Sequence, residues 1–191
     1  MRNAFNLFLA LLIALVVGLG GTWYALTYEK GVETVVVGPW RAVIEVGTAE
    51  PNPYARAILA RTGAIPMLAT ESISFRTLTD SRGEPLRGTC VYRLRGDLIE
   101  ARWWTLTVTD DKGRRPVRDP ASNTATSIGV VRDQDGQFEI TLSPTARPGN
   151  WLSTGGMARL ALTLRLYDTP LYVSGGLADA ALPSITLEGC L

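Results

Sequence analysis

The chain contains no histidine. Imidazole is the commonest general base near neutral pH and the commonest transition-metal ligand. Its absence removes Ser-His-Asp and Cys-His nucleophilic machinery. Cysteine is nearly as scarce: the 191 residues include only Cys90 and Cys190, too few for a thiolate zinc site. An excess of either charge is also missing. Nineteen basic residues face eighteen acidic ones, and residues 1–30 hold only Arg2, Lys30 and Glu29 of these, so the remainder is balanced at seventeen of each. A neutral chain lacks the basic footprint that nucleic acid requires, so no nucleic-acid partner is expected. There is no P-loop, and Gly18-x-Gly20 lies in an apolar run rather than after a strand. The nucleophile pattern S-x-x-K does not occur. No cofactor, no metal and no catalytic residue are expected, and only carboxylate or lysine chemistry is left open to an enzyme.

A long apolar run is present. LFLALLIALVVGLGGTWYALTY, Leu7 to Tyr28, carries no charge. At 1.5 Å per residue it can cross a hydrocarbon layer of about 30 Å. Trp23, Tyr24 and Tyr28 cluster at its far end, where amphipathic rings favour the headgroup level. Arg2 and the amino terminus lie at the near end, which places that end in the cytoplasm and the rest of the chain outside. A cleaved signal peptide is the competing reading, but its apolar region is shorter and ends in a small-x-small site, for which Gly18-Leu19-Gly20 is a poor substitute. The expected organisation is a membrane anchor over residues 1–30 and an exported domain over 31–191. An exported compartment is oxidising, so a Cys90–Cys190 disulfide is preferred to two buried free thiols.

The exported part reads as mainly β. VETVVVGPWRAVIEVG suggests two short strands, or a strand and an edge piece, broken at Gly38-Pro39. Asn52, Pro53 and Gly63 are suited to the N-cap, first turn and stop of one short helix, with Tyr54, Ala57 and Ile58 on a face that packs on a sheet. From Ser72 onward apolar residues alternate with polar ones. Tyr92 and Leu94 alternate with Arg93 and Arg95; the same holds for Leu106 and Val108, for Phe138, Ile140 and Leu142, and for Leu160 to Leu166. Such strands have one buried and one wet face. Asp80-x-x-Gly83, Asp110-x-x-Gly113 and Asp133-x-x-Gly136 repeat one turn device, in which aspartate accepts backbone N–H groups and glycine takes a left-handed conformation. The expected fold is an antiparallel β-sandwich, jelly-roll-like, with one short helix, preceded by a transmembrane helix.

In ARWWTLTVTD, Trp104 shares parity with Leu106 and Val108 and is the core tryptophan. Trp103 points the other way. If the strand Cys90 to Gly96 pairs with this one through a turn at Gly96-Asp97, Arg93 and Arg95 share the face of Trp103, a platform for a sugar or an anion. A second packing layer over Trp103 is the plainer alternative. In ARPGNWLSTGG, Asn150 can bridge backbone groups and Trp151 is either a plug or a binding ring. Asp133-Gln134-Asp135-Gly136 lacks the ligand spacing of a calcium loop and is read as a hairpin turn. Arg114, Arg115 and Arg118 form a short basic loop.

YRLRGDLIEARWWTLTVTD, then LSPTARPGNWL, then LTLRLYDTP, resemble in this order the bacterial family called domain of unknown function 1214. The resemblance spans roughly Asn52 to the C-terminus and is to the short, membrane-anchored form; longer members carry a second uncharacterised domain upstream. It implies a jelly-roll-type sandwich and no established activity. Its motif positions are Arg102, Trp103, Trp104, Asn150, Trp151, Arg165, Tyr167 and Asp168.

Together these readings point to a single-pass inner-membrane protein with its C-terminal domain in the periplasm. Arg93, Arg95, Arg102, Trp103, Asn150, Trp151, Arg165 and Tyr167 are its candidate ligand-binding residues. The expected role is a non-catalytic envelope module for a glycan, a lipid headgroup or an envelope protein. Two alternatives are a hydrolase using Asp110, Arg102 and Arg165, which must then line one cavity, and a structural subunit of a membrane assembly.

Overall fold

The structure, a computed structural model, describes residues 2–28, 32–44, 47–48, 50–63, 67–97, 99–116 and 120–190. Arg118 and the boundary expected at residues 30–31 lie outside these. Helix α1 (Arg2–Thr27) contains a 25-residue stretch, Asn3–Thr27, of mean hydropathy 2.3, long and apolar enough to cross a membrane. Its apolar side chains are exposed along most of its length, and Ala25 and Leu26 near its end are partly covered.

Beyond it, strands β1 (Thr34–Val37) and β2 (Trp40–Val43) form a hairpin around Gly38-Pro39. Helix α2 (Pro53–Thr62) follows. Asn52 Oδ1 accepts from Ala55 N at 2.8 Å and Gly63 closes the helix at φ 65°, as its cap residues foretell. It buries Ala55 and Ile58 and leaves Tyr54 exposed, contrary to the face expected for Tyr54. Helix α2 lies against the end of α1, where Arg61 Nη1 donates to Thr27 Oγ1 at 3.1 Å.

Strands β3 (Ser72–Thr77), β4 (Cys90–Gly96), β5 (Trp103–Thr109), β6 (Thr124–Thr126), β7 (Phe138–Ser143), β8 (Asn150–Ser153), β9 (Ala161–Tyr167) and β10 (Ser184–Cys190) complete a sandwich. One sheet has the order β1-β2-β3-β9-β5-β6 and the other β10-β4-β7-β8. From β3 onward the chain changes sheet repeatedly, which gives the sandwich its jelly-roll character. The pairs are antiparallel except β7–β8, which is parallel, a departure from the fully antiparallel expectation. The chain reverses at Pro148-Gly149, with Gly149 at φ 82°, and returns to run alongside β7.

The inner faces hold the residues that alternation assigns to them. Trp104, Leu106 and Val108 of β5 and Leu162, Leu164 and Leu166 of β9 meet Leu94 of β4 and Phe138, Ile140 and Leu142 of β7 in one cluster. Each fully buried leucine or isoleucine contributes about 1.5–3 kcal/mol. The Trp104 and Phe138 rings lie 5.0 Å apart across the sandwich. Trp40 is fully buried and satisfies its indole N–H on Pro183 O at 2.7 Å.

All three Asp–Gly turns form as read. Asp80 Oδ1 accepts from Arg82 N and Glu84 N, Asp110 Oδ1 from Lys112 N and Arg114 N, and Asp133 Oδ1 from Asp135 N and Gln137 N, at 2.7–3.1 Å. Gly83, Gly113 and Gly136 take φ of 89°, 81° and 81°.

One pairing is not as expected. Strand β4 lies between β10 and β7, and β5 between β9 and β6, so the two are in different sheets. Gly96-Asp97 is not a hairpin turn but the start of a crossing segment, in which Ile99 is buried as it passes the core. Alternation fixes a strand's face and leaves its partner open.

Cys90 and Cys190 are disulfide-bonded. They stand opposite each other in the β4–β10 ladder, Cα atoms 3.9 Å apart, and close a loop of 100 residues' separation. In the disputed chain-entropy account such a loop contributes up to ~4.7 kcal/mol. Replacing both cysteines with serine is therefore expected to lower the unfolding free energy by a few kcal/mol, up to that value. Urea denaturation of the detergent-solubilised chain with and without reductant measures it.

Candidate functional site

The outer face of the six-stranded sheet can be laid out row by row from its register. Trp103, Tyr167 and Ser72 occupy one row across β5, β9 and β3. Thr105, Arg165 and Ser74 occupy the next, and Thr107, Thr163 and Arg76 the third, extended by Arg41 on β2. The face thus runs from an aromatic end, where the Trp103 and Tyr167 rings sit 4.8 Å apart, into rows of hydroxyls and guanidinium groups.

Those rows floor a groove of about 820 Å³. The β5–β6 connection supplies Asp111, Lys112 and Arg115 at one end, and α2 supplies Arg61. Five cationic side chains, Arg61, Arg76, Lys112, Arg115 and Arg165, line it against one carboxylate among the described residues, Asp111. Neutral oxygens hold two of the guanidinium groups in place. Arg76 Nη2 donates to Asp111 O at 2.7 Å, and Arg165 Nε donates to Ser74 Oγ at 3.0 Å. Neither bond cancels a charge, so both forks keep full positive charge and free N–H groups. Asp111 Oδ2 lies 4.0 Å from Arg159 Nη1, which draws on the one anionic group present. Planar forks of this kind bind carboxylate and phosphate in bidentate fashion.

Asp110 shapes the rim without joining the floor. Burial pushes its carboxyl up, but N–H bonds from the Arg114 backbone and guanidinium and the Lys112 backbone outweigh this, leaving its pKa below the ordinary 3.8. Its oxygens are occupied by the turn. The groove therefore contains Arg165 but neither Asp110 nor Arg102, and the three groups of the expected hydrolytic alternative are not brought together. Arg102 lies at the aromatic end, 3.6 Å from Asp168 Oδ2, with both side chains exposed.

The other candidate residues lie on the opposite side of the sandwich. Because β4 is not paired with β5, Arg93 and Arg95 do not share the face of Trp103. Arg93 sits between Glu139 and Glu188. Arg95 donates to Gln137 Oε1 through Nε and Nη2 at 3.2 and 2.7 Å. Asn150 bridges backbone groups: Oδ1 accepts from Val131 N, and Nδ2 donates to Val131 O and Glu139 O, all at 2.8–2.9 Å. The Trp151 indole N–H points to Ser143 Oγ at 3.0 Å, in the manner of a half-buried plug. A concavity of about 420 Å³ is lined by Arg95 and Asn150, but its two cations among the described residues, Arg95 and Arg132, are balanced by the carboxylates of Asp133 and Glu139. Asp133 serves its hairpin. Sequence reasoning missed Arg61, Arg76 and Lys112. Arg76 has the outward parity of SISFRT, a usable signal, whereas Arg61 is delivered by the docking of a helix.

The sequence profile described as "Protein of unknown function (DUF1214)" matches residues 71–171, just over half of the chain. The chain belongs to that family. The DUF1214 segment includes β3 to β9 and four of the five groove cations, leaving Arg61 outside it. The fold is similar to that of the VPA0106 protein from Vibrio parahaemolyticus: TM-score 0.60, 16% identity, covering 73% of this chain and 36% of that one. This chain thus spans about a third of that protein's length. An uncharacterised protein from Burkholderia cenocepacia is matched at TM-score 0.40 and 16% identity, over 62% of this chain and 29% of that one. No curated protein sequence matches the chain.

Two outcomes follow from this geometry. Asn150→Ala leaves three backbone groups without their partner, and is expected to cost about 1–2 kcal/mol in urea denaturation. For Asp110, whose folded pKa is depressed, the stabilisation is present above 3.8 and lost as pH falls through the lowered value. The melting-temperature gap between the wild type and Asp110→Asn should be constant near neutrality and close on acidification below about pH 4.

Proposed function

We propose that the chain is a single-pass protein of the bacterial inner membrane, anchored by residues 1–30, with residues 31–191 forming a periplasmic β-sandwich. It works as a non-catalytic envelope module that binds an anionic group on the outer face of the six-stranded sheet. Three features support the placement. The Asn3–Thr27 stretch has the length and hydropathy of a membrane span. Trp23, Tyr24 and Tyr28 lie at one end of it and Arg2 at the other. The disulfide requires an oxidising compartment for its upkeep.

The observation that carries the binding role is the charge of the groove: five cations against one carboxylate among the described residues, in a chain whose net charge is only +1. Arg165 and Arg76 are the principal contacts, the Thr105, Thr107 and Thr163 hydroxyls add neutral hydrogen bonds, and Trp103 with Tyr167 offers a ring face one row away. An acidic glycan, a lipid headgroup or an acidic protein surface presents the required charge. Arg93, Arg95, Asn150 and Trp151 are assigned to the fold rather than to the ligand.

Titration calorimetry of the full chain in uncharged detergent, with pyrophosphate as probe, tests this. Binding should weaken steeply with salt. Arg165→Gln and Arg76→Gln should each reduce affinity roughly tenfold or more, the effect of losing one charge-assisted bond of about 1.5–3 kcal/mol. Arg93→Gln, on the far side, should leave affinity unchanged. Equal affinity in all four proteins removes the groove from the proposal.

A further inference from the structure

The position of the groove relative to the anchor narrows the ligand. Arg61 lines the groove, and its guanidinium Nη1 donates to Oγ1 of Thr27, the last residue of the apolar helix. One rim of the cationic groove is therefore fastened to the end of the span. Tyr24 and Tyr28, whose rings sit 4.8 Å apart and exposed, occupy the same end. Aromatic rings of this kind mark the headgroup level. With the helix in a bilayer, Arg61 lies about one side-chain length from that level, and the Arg76 and Arg165 forks open from the same cavity.

We infer that the groove takes the phosphodiester headgroup of an anionic phospholipid from the leaflet in which the anchor ends. The inference rests on the anion-binding reading above. The chemistry of the groove sets what enters it. A phosphodiester oxygen pair matches a guanidinium fork. The floor is threonine hydroxyls rather than apolar side chains, so it suits the polar part of the lipid, and the acyl chains stay in the bilayer beside α1. A zwitterionic lipid brings its own cation into a cavity already carrying five, whereas an anionic lipid with a neutral polyol headgroup brings none and can hydrogen-bond the threonines. Each basic group near a membrane surface adds attraction for anionic lipid, and here several converge on one cavity.

The test is native mass spectrometry of the full chain released from bilayer discs containing equal phosphatidylglycerol and phosphatidylcholine. The wild type should retain phosphatidylglycerol in preference to phosphatidylcholine by about tenfold or more, and Arg76→Gln/Arg165→Gln should retain the two equally. Arg61→Gln, on a helix outside both sheets, serves as a second variant, with an unchanged urea midpoint showing that the sandwich is intact; it should lose most of the preference. A preference that is missing from the wild type, or that survives in either variant, overturns the inference. Pyrophosphate binding measured on the same preparations separates the two readings. Pyrophosphate bound without lipid preference removes the phospholipid and leaves an anion site. Neither bound removes both.

Discussion

Trp104 pressed against Phe138 across the sandwich sets the rest of the molecule. Once that ring is inside, strand geometry leaves no choice about its neighbours: Trp103, Thr105 and Thr107 must face outward. The β5–β9 register then places Tyr167, Arg165 and Thr163 beside them, and the β3–β9 register places Ser74 and Arg76 next in line. The cationic face is thus the reverse side of the core. A one-residue slip in β5 would bring Trp103 and the threonines inward and break the surface and the core together.

How much of this was legible in the sequence depended on the range of each determinant. The three Asp–Gly turns are built within five residues, and each formed with the hydrogen bonds its spacing implies. Asn52, Pro53 and Gly63 bounded α2 for the same local reason. The faces of the strands followed from alternation. The partners did not, because alternation is satisfied by any neighbour with a matching pattern. Strand β4 lies in the sheet opposite β5, although six residues separate them. That error moved Arg93 and Arg95 to the wrong side and divided the candidate residues into two groups. The parallel return of β8 was hidden because it depends on the turn at Pro148-Gly149 and on where Asn150 finds its backbone partners.

The two outer faces balance their arginines differently. On the four-stranded sheet Arg95 shares its concavity with Arg132 and the carboxylates Asp133 and Glu139, and Arg93 is paired with two glutamates. Exposed pairs of this kind contribute about 0–1 kcal/mol each and serve to order the surface. On the six-stranded sheet Arg76 and Arg165 are oriented by a backbone carbonyl and a serine hydroxyl. These bonds fix direction without discharging the group. Water and salt keep the mutual repulsion of several such cations small, so the fold tolerates it, while a bound anion would relieve it and gain the hydrogen bonds of forks already aimed.

The groove also joins parts of the chain with different standing in the family. The DUF1214 segment carries the floor and four of the cations. Arg61 comes from α2, outside that segment, and is tied to the end of α1. A rim made in this way joins the common sandwich to the apolar helix through one side chain. The disulfide acts at the other end of the chain, pairing Cys190 of β10 with Cys90 of β4 and so fixing the last strand against the four-stranded sheet. The last strand of the sandwich is thus fixed by a covalent link, and α2 is tied to the end of the apolar helix, which leaves the outer face of the six-stranded sheet with a cationic groove on the side where that helix ends.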